Sequence, residues 1–226
     1  MKVLYEDNHI IVVNKPAGLL SQKDKTGDDS IIEKIKGYIK AKYNKPGNVF
    51  LGSVHRLDRP TAGVMVFAKT SKAHSRLNKT LKSGGFHKKY YTILEGMIQE
   101  GSGELIHYLI KNNRKNIVKA YKKKVAGSKK AILQYKIIGI VNGFTLVDIN
   151  LLTGRSHQIR SQFSKDFFPI VGDIKYGSKL ILEDKSICLH SYSLGFEHPV
   201  KKEFVHFTTL PDFRNPYWKL FANLIE

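Results

Sequence analysis

Val141-Asn142-Gly143 separates two apolar, β-branched runs, ILQYKIIGI and FTLVDINLL. Asn-Gly between such runs specifies a tight reverse turn, because both residues tolerate positive φ, and it commits the flanking segments to antiparallel pairing. Other segments agree with this. IIVV, from Ile10 to Val13, is a short, fully apolar run suited to a buried strand, and the turn residues of KPAG (Lys15 to Gly18) end it. YYTILEG reads as a further strand, and SICLHSYSLGF with EFVHF as another pair.

Helical spacing is confined to a few places. SIIEKIKGYIKAKY sets Ile31, Ile32, Ile35, Tyr38 and Ile39 on one face, with Ser30 and Glu33 spaced as a capping box. SKAHSRLNKTLK sets Ala73, Leu77 and Leu81 on another, and Gly84-Gly85 stop it. Strands therefore outnumber helices. The expectation is an α+β fold, with a mixed, largely antiparallel sheet and flanking helices, formed by residues 1–226 as a single domain.

Charge narrows the partner. Thirty-eight Lys and Arg against nineteen Asp and Glu leave a net charge of +19. Such a surface attracts polyanions, of which nucleic acid is the commonest. KNNRKNIVKAYKKKVAGSKK, Lys111 to Lys130, carries nine basic residues and no acid. RNA contact through Lys122, Lys123 and Lys124 is the reading placed ahead of a solvated hairpin whose lysines only keep the chain soluble. No stretch approaches the ~18 apolar residues of a membrane span, and the acids Glu6 and Asp7 interrupt the start before any signal-like apolar core. A soluble, cytoplasmic protein with no membrane partner is expected. The lack of an apolar surface helix favours a monomer.

Metal and nucleotide chemistry find little support. A single cysteine, Cys188, excludes an intrachain disulfide and a Cys-based metal site. The nine histidines, His55, His107, His157 and His190 among them, form no HExxH and lie far apart, so no metal and no cofactor is expected. GSGELI at Gly101 lacks the last glycine of GxGxxG. HRLD has neither the residue order nor the companion motifs of a kinase catalytic loop.

What remains is a set of arginine-rich motifs around one acid. HRLDRPTAG places Asp58 between Arg56 and Arg59, and flanking arginines favour a charged carboxylate. LTGRSHQIRSQF reads as a helix beginning near Ser156, with Ile159 and Phe163 buried and His157, Arg160 and Ser161 on neighbouring faces.

HRLDRPTAG, KKYYTILEG, LTGRSHQIR and GDIKYG, in this order, together resemble the RluA-type RNA pseudouridine synthases. The resemblance runs from YEDNHIIVVNKPAGLL to CLHSYSLGF, nearly the whole chain, and four motifs in order make it specific. It implies the pseudouridine synthase fold, with the sheet and its helices arranged around a central basic cleft. It also implies that Asp58 is the catalytic residue and that Arg56 helps to displace and hold the target nucleotide. Tyr90 is implied to lie against the uracil and assist proton removal from C5, and Arg160 to pair with the aspartate and orient it. Leu189 becomes an apolar wall of the pocket, and Lys15 and Pro16 take a structural role.

Departures are few. Thr61-Ala62-Gly63 lacks the hydroxyl of the family's usual Thr-Ser-Gly, and Ser156 stands for a more frequent threonine while remaining able to cap the helix. No S4-type RNA-binding module is expected ahead of the catalytic region, and RNA recruitment is expected to rest on that region itself. The function implied is isomerisation of uridines in ribosomal or transfer RNA. The alternative is a catalytically silent RNA-binding or ribosome-assembly protein of the same fold. A nucleoside glycosidase would want a second carboxylate, and the motifs offer none.

Overall fold

The computed structural model describes residues 1–24, 27–99 and 101–225. Its strands are β1 (Lys2–Glu6), β2 (Ile10–Lys15), β3 (Gly52–Ser53), β4 (Ala62–Ala68), β5 (His87–Leu94), β6 (Ser102–Asn112), β7 (Ile117–Tyr121), β8 (Lys129–Val141), β9 (Phe144–Leu151), β10 (Leu189–Glu197) and β11 (Phe204–Thr208). Its helices are α1 (Ile31–Lys42), α2 (Ser71–Lys82), α3 (Gln158–Asp166) and α4 (Pro216–Leu220). The chain separates into two compact units. One is Met1–His87 with Ser193–Thr209; the other is Lys88–Tyr192 with Leu210–Glu226.

In the first unit the strand order is β1-β2-β4-β10, with β3 on β4 and β11 on β10. Ile10, Ile11, Val12 and Val13 have no exposed surface, because β2 lies between β1 and β4 and both of its faces are covered. Ile10 and Val12 pack with Val64, Val66, Leu194 and Phe196 against Ala73 and Leu77 of α2. Successive strand residues face opposite ways, so Ile11, Val13, Met65 and Phe67 fill the other side, also fully buried. Ser30 caps α1 as its spacing predicts, its Oγ accepting from the Glu33 N–H at 3.4 Å. Ile31, Ile35 and Ile39 are the buried stripe. Tyr38 and Lys42 tie α1 to Glu6 of β1 at 3.1 and 2.7 Å.

In the second unit the strand order is β10-β5-β9-β8-β6-β7. The predicted hairpin is present: Val141 pairs with Phe144 across Asn142 and Gly143, whose φ values are 50° and 81°. The predicted SICLHSYSLGF and EFVHF pair is β10 with β11, antiparallel from Ser193↔Thr208 to Glu197↔Phe204. The basic segment is more structured than a surface loop. Its first part is the β6–β7 hairpin, in register from Tyr108↔Tyr121 to Asn112↔Ile117, and its last residues open β8.

One expectation is corrected. Ser156 does not cap α3. The helix starts at Gln158, its cap position is His157 in the left-handed region at φ 48°, and no side chain caps it there. Ser156 Oγ is buried without a hydrogen-bond partner among the described residues. Gln158 stabilises this helix start instead: its Oε1 accepts from the Arg155 N–H and Thr153 Oγ1, and its Nε2 donates to the Ile132 carbonyl.

Candidate active site

Asp58 and Arg56 belong to the first unit, and Tyr90, Arg160 and Leu189 to the second. In the first unit, Asp58 sits on a loop whose neighbours are fixed from several sides. The Thr61 N–H donates to the Asp58 carbonyl at 3.0 Å, closing a turn. Ahead of it, His55 Nε2 accepts the Val66 N–H at 3.1 Å, which ties HRLD to β4 and leaves that ring nitrogen unprotonated. After it, Arg59 exchanges two hydrogen bonds with Gly18: the Gly18 N–H donates to the Arg59 carbonyl at 2.9 Å, and Arg59 Nε to the Gly18 carbonyl at 3.0 Å. The Arg59 guanidinium also pairs with Asp28 at 2.7 Å. Of the two arginines that flank Asp58 in sequence, Arg59 is thus directed at Asp28 and the KPAG loop. Arg56 is exposed.

Lys15 explains why KPAG follows β2. It has no exposed surface, and its Nζ donates to the carbonyls of Pro16, Leu19 and Arg59 at 2.9, 2.8 and 3.3 Å. An ammonium has three donors and no acceptor, so one buried side chain joins two loops. Burial pushes the Lys15 amine down to about 7, against the upward pull of the Asp58 charge.

In the second unit, Tyr90 on β5 and Leu189 at the start of β10 are 6% and 5% exposed, on adjacent strands. Lys88, its amine pushed down by burial, lies 3.3 Å from where a Cβ at Gly154 would stand. This brings KKYY up against the TGR turn.

Arg160 is held by a residue to which the sequence assigns no role. Its Nε and Nη2 donate to Asp173 Oδ2 and Oδ1, both at 2.7 Å, and both side chains are buried. The paired geometry fixes the plane of the guanidinium as well as its position. Tyr176 lies under the same group, 5.0 Å from ring centre to guanidinium carbon. The Tyr176 hydroxyl accepts from the Val118 N–H at 2.9 Å and meets His157 Nδ1 at 2.8 Å. GDIKYG is thus a buttress for Arg160. A Cβ at Gly172 (φ 86°) would stand 2.6 Å from the Ser186 carbonyl, so the motif opens with glycine.

The three lysines proposed for RNA differ. All three are exposed, but Lys122 pairs with Asp166 at 2.5 Å. Asp166 also faces His107 Nε2 at 3.2 Å. Among the described residues, no group of three or more His, Cys, Asp or Glu is placed to hold a metal ion, and no helix is long and apolar enough to cross a membrane.

An α+β arrangement with a largely antiparallel sheet, carrying HRLD, KKYY, GRSHQIR and GDIKYG on the elements just described, defines a class. Residues 9–165 match the RNA pseudouridylate synthase family, and the chain belongs to it: it is an RNA pseudouridine synthase of the RluA type. The "Dual-specificity RNA pseudouridine synthase RluA" of Haemophilus ducreyi is 31% identical over 222 residues, 94% of each chain. The "Ribosomal large subunit pseudouridine synthase C" of Buchnera aphidicola is 32% identical over 221 residues, 93% of this chain and 67% of that protein. The structure of human RNA Pseudouridylate Synthase Domain Containing 4 superposes with a TM-score of 0.78 over 100% of this chain and 94% of that one, at 22% identity, a likeness of fold.

Proposed function

We propose that residues 1–226 act as one catalytic domain that converts specific uridines of RNA to pseudouridine, with Asp58 as the catalytic residue. Ribosomal RNA is the first candidate substrate, by analogy with the Buchnera relative, whose name gives the large ribosomal subunit; transfer RNA is the second. The reaction breaks the bond from uracil N1 to ribose C1′, turns the base, and forms a bond from C5 to C1′. The C5 proton leaves and N1 gains one, so atoms and electrons balance within the nucleotide.

The uridine must first leave its stack, at a cost of a few kcal/mol. Arg56, exposed beside the loop, holds the displaced nucleotide, and the basic surface holds the backbone. The role proposed for Asp58 is at the sugar–base bond, for Arg160 to orient that acid, for Tyr90 to lie against the uracil, and for Leu189 to provide an apolar wall. The enzyme works as a monomer in the cytoplasm without metal or cofactor. The observation that carries this reading is the anchoring of the Asp58 loop. An acid whose flanking residues bond to a second loop, with a buried ammonium sensing its charge, is held more firmly than a surface ion pair requires.

The test is tritium release from RNA labelled at uracil C5 and lacking pseudouridine, with Asp58→Ala beside the wild type. Release by the wild type alone, with RNA binding kept by both, is expected. Equal release by both would remove Asp58 from the chemistry. Binding without release by either would make the chain a silent RNA-binding protein.

A further inference from the structure

Ser21, six residues after Lys15 and outside every motif singled out in the sequence, makes two hydrogen bonds to one backbone residue. Its Oγ donates to the Leu57 carbonyl at 2.6 Å and accepts the Leu57 N–H at 3.1 Å. Ser21 and Leu57 are both buried, at 7% and 5% exposure. Met65 Sδ, 3.8 Å from the hydroxyl, is the remaining neighbour, and the shorter approach to the carbonyl takes the single proton.

Leu57 immediately precedes Asp58. On the other side, the Arg59 carbonyl receives Lys15 Nζ and the Gly18 N–H. The residues before and after the acid are therefore both bonded by residues 15–21, Leu57 through the Ser21 hydroxyl and Arg59 through its carbonyl. We propose that Ser21 is a positioning residue for Asp58, setting the direction in which the carboxylate leaves the loop. This rests on the reading of Asp58 as the catalytic residue.

The physical argument is one of tolerance. A reacting group has to be held to a fraction of an ångström, and a displacement of about 1 Å costs on the order of 100-fold in rate. Without the Ser21 hydroxyl, both polar groups of the Leu57 backbone lose this partner in a buried site. The loop then rearranges to find others, and Asp58 moves with it.

The experiment is single-turnover tritium release under saturating enzyme, for wild type, Ser21→Ala, Ser21→Thr and Asp58→Ala, with RNA affinity and Tm measured for each. A folding defect lowers the Tm and leaves the rate constant unchanged while folded enzyme remains in saturating excess over RNA; a misplaced acid lowers the rate constant itself. Ser21→Ala is expected to lower the rate constant roughly 10- to 100-fold, with amplitude and RNA affinity kept, and Ser21→Thr, which retains the hydroxyl, to recover most of it. Ser21→Cys, close in size but a weak hydrogen-bond former, falls between the two and serves if the threonine variant does not fold. A rate constant for Ser21→Ala within twofold of wild type, while Asp58→Ala is inactive, overturns the role of Ser21. An active Asp58→Ala overturns the underlying assignment instead, so the two failures are distinguishable.

Discussion

Lys15 and Asp173 are a fully buried cation and a fully buried anion with opposite solutions to the same cost. Lys15 has only neutral carbonyl partners and a nearby negative charge, so its amine is held at about 7, well below the 10.5 of a free lysine. Below pH 7 the amine is charged in the folded and unfolded states alike, and the fold bears the full cost of burying it. Between about 7 and 10.5 the folded protein sheds the proton while the unfolded chain keeps it, so stability rises with pH in that window, by at most ~1.4 kcal/mol per pH unit. Urea unfolding from pH 6.5 to 9.5 is expected to show the wild type gaining on Lys15→Met as pH rises; a difference independent of pH would refute it. Asp173 instead has a full charge partner in Arg160. Removing one member of such a buried pair costs about 3–5 kcal/mol, so Asp173→Ala is expected to lose that much in chemical denaturation, and Asp173→Asn, which keeps one acceptor, less. Arg160 is singled out in the sequence only as a candidate, through the family resemblance. Its partner thirteen residues on is out of reach there, because GDIKYG carries no period or cap to mark Asp173 as buried. Ser21 is less visible still, since its only signal is a backbone partner 36 residues away.

At the scale of elements, what can be read is what is local. The cap of α1, the Asn-Gly hairpin and the β10–β11 pair each depend on residues within a few positions of one another, and each is present. The strand β6 escapes notice for a physical reason: its inward positions are Leu105, His107 and Leu109, and a histidine breaks the apolar alternation. His107 is tolerated there because Gln162 of α3 lies 3.1 Å from its Nδ1 and Asp166 faces its Nε2, partners that only the tertiary fold supplies. The start of α3 is hidden similarly, since it depends on the Gln158 side chain reaching Ile132. The lysines of the basic segment differ in their contacts, Lys122 being paired with Asp166. Lys123→Ala with Lys124→Ala is expected to weaken RNA binding and to reduce the slope of log K against log salt by about 0.7–0.9 for each phosphate no longer neutralised. Lys122→Ala alters stability as well, through Asp166. A salt titration in which the slope of the double variant matches the wild type returns Lys123 and Lys124 to the role of solubilising charges.

For the molecule as a whole, the net charge of +19 supplies attraction to RNA without choice of sequence, so the choice of uridine falls to the interactions made once the nucleotide is in place. The proposed site residues fall in both units: Asp58 and its anchoring loop in one, Arg160 with Asp173 and Tyr90 in the other. The chain does not finish one before starting the other. The first unit needs Ser193–Thr209 as well as Met1–His87, so β2 and β4 are translated long before the β10 residues that complete their sheet. At about 5–20 residues per second, the ribosome takes roughly 5–20 s to travel from His87 to Ser193. During that interval the nascent N-terminal third carries an unfinished apolar sheet edge, and it is in that window that a chaperone has most to protect.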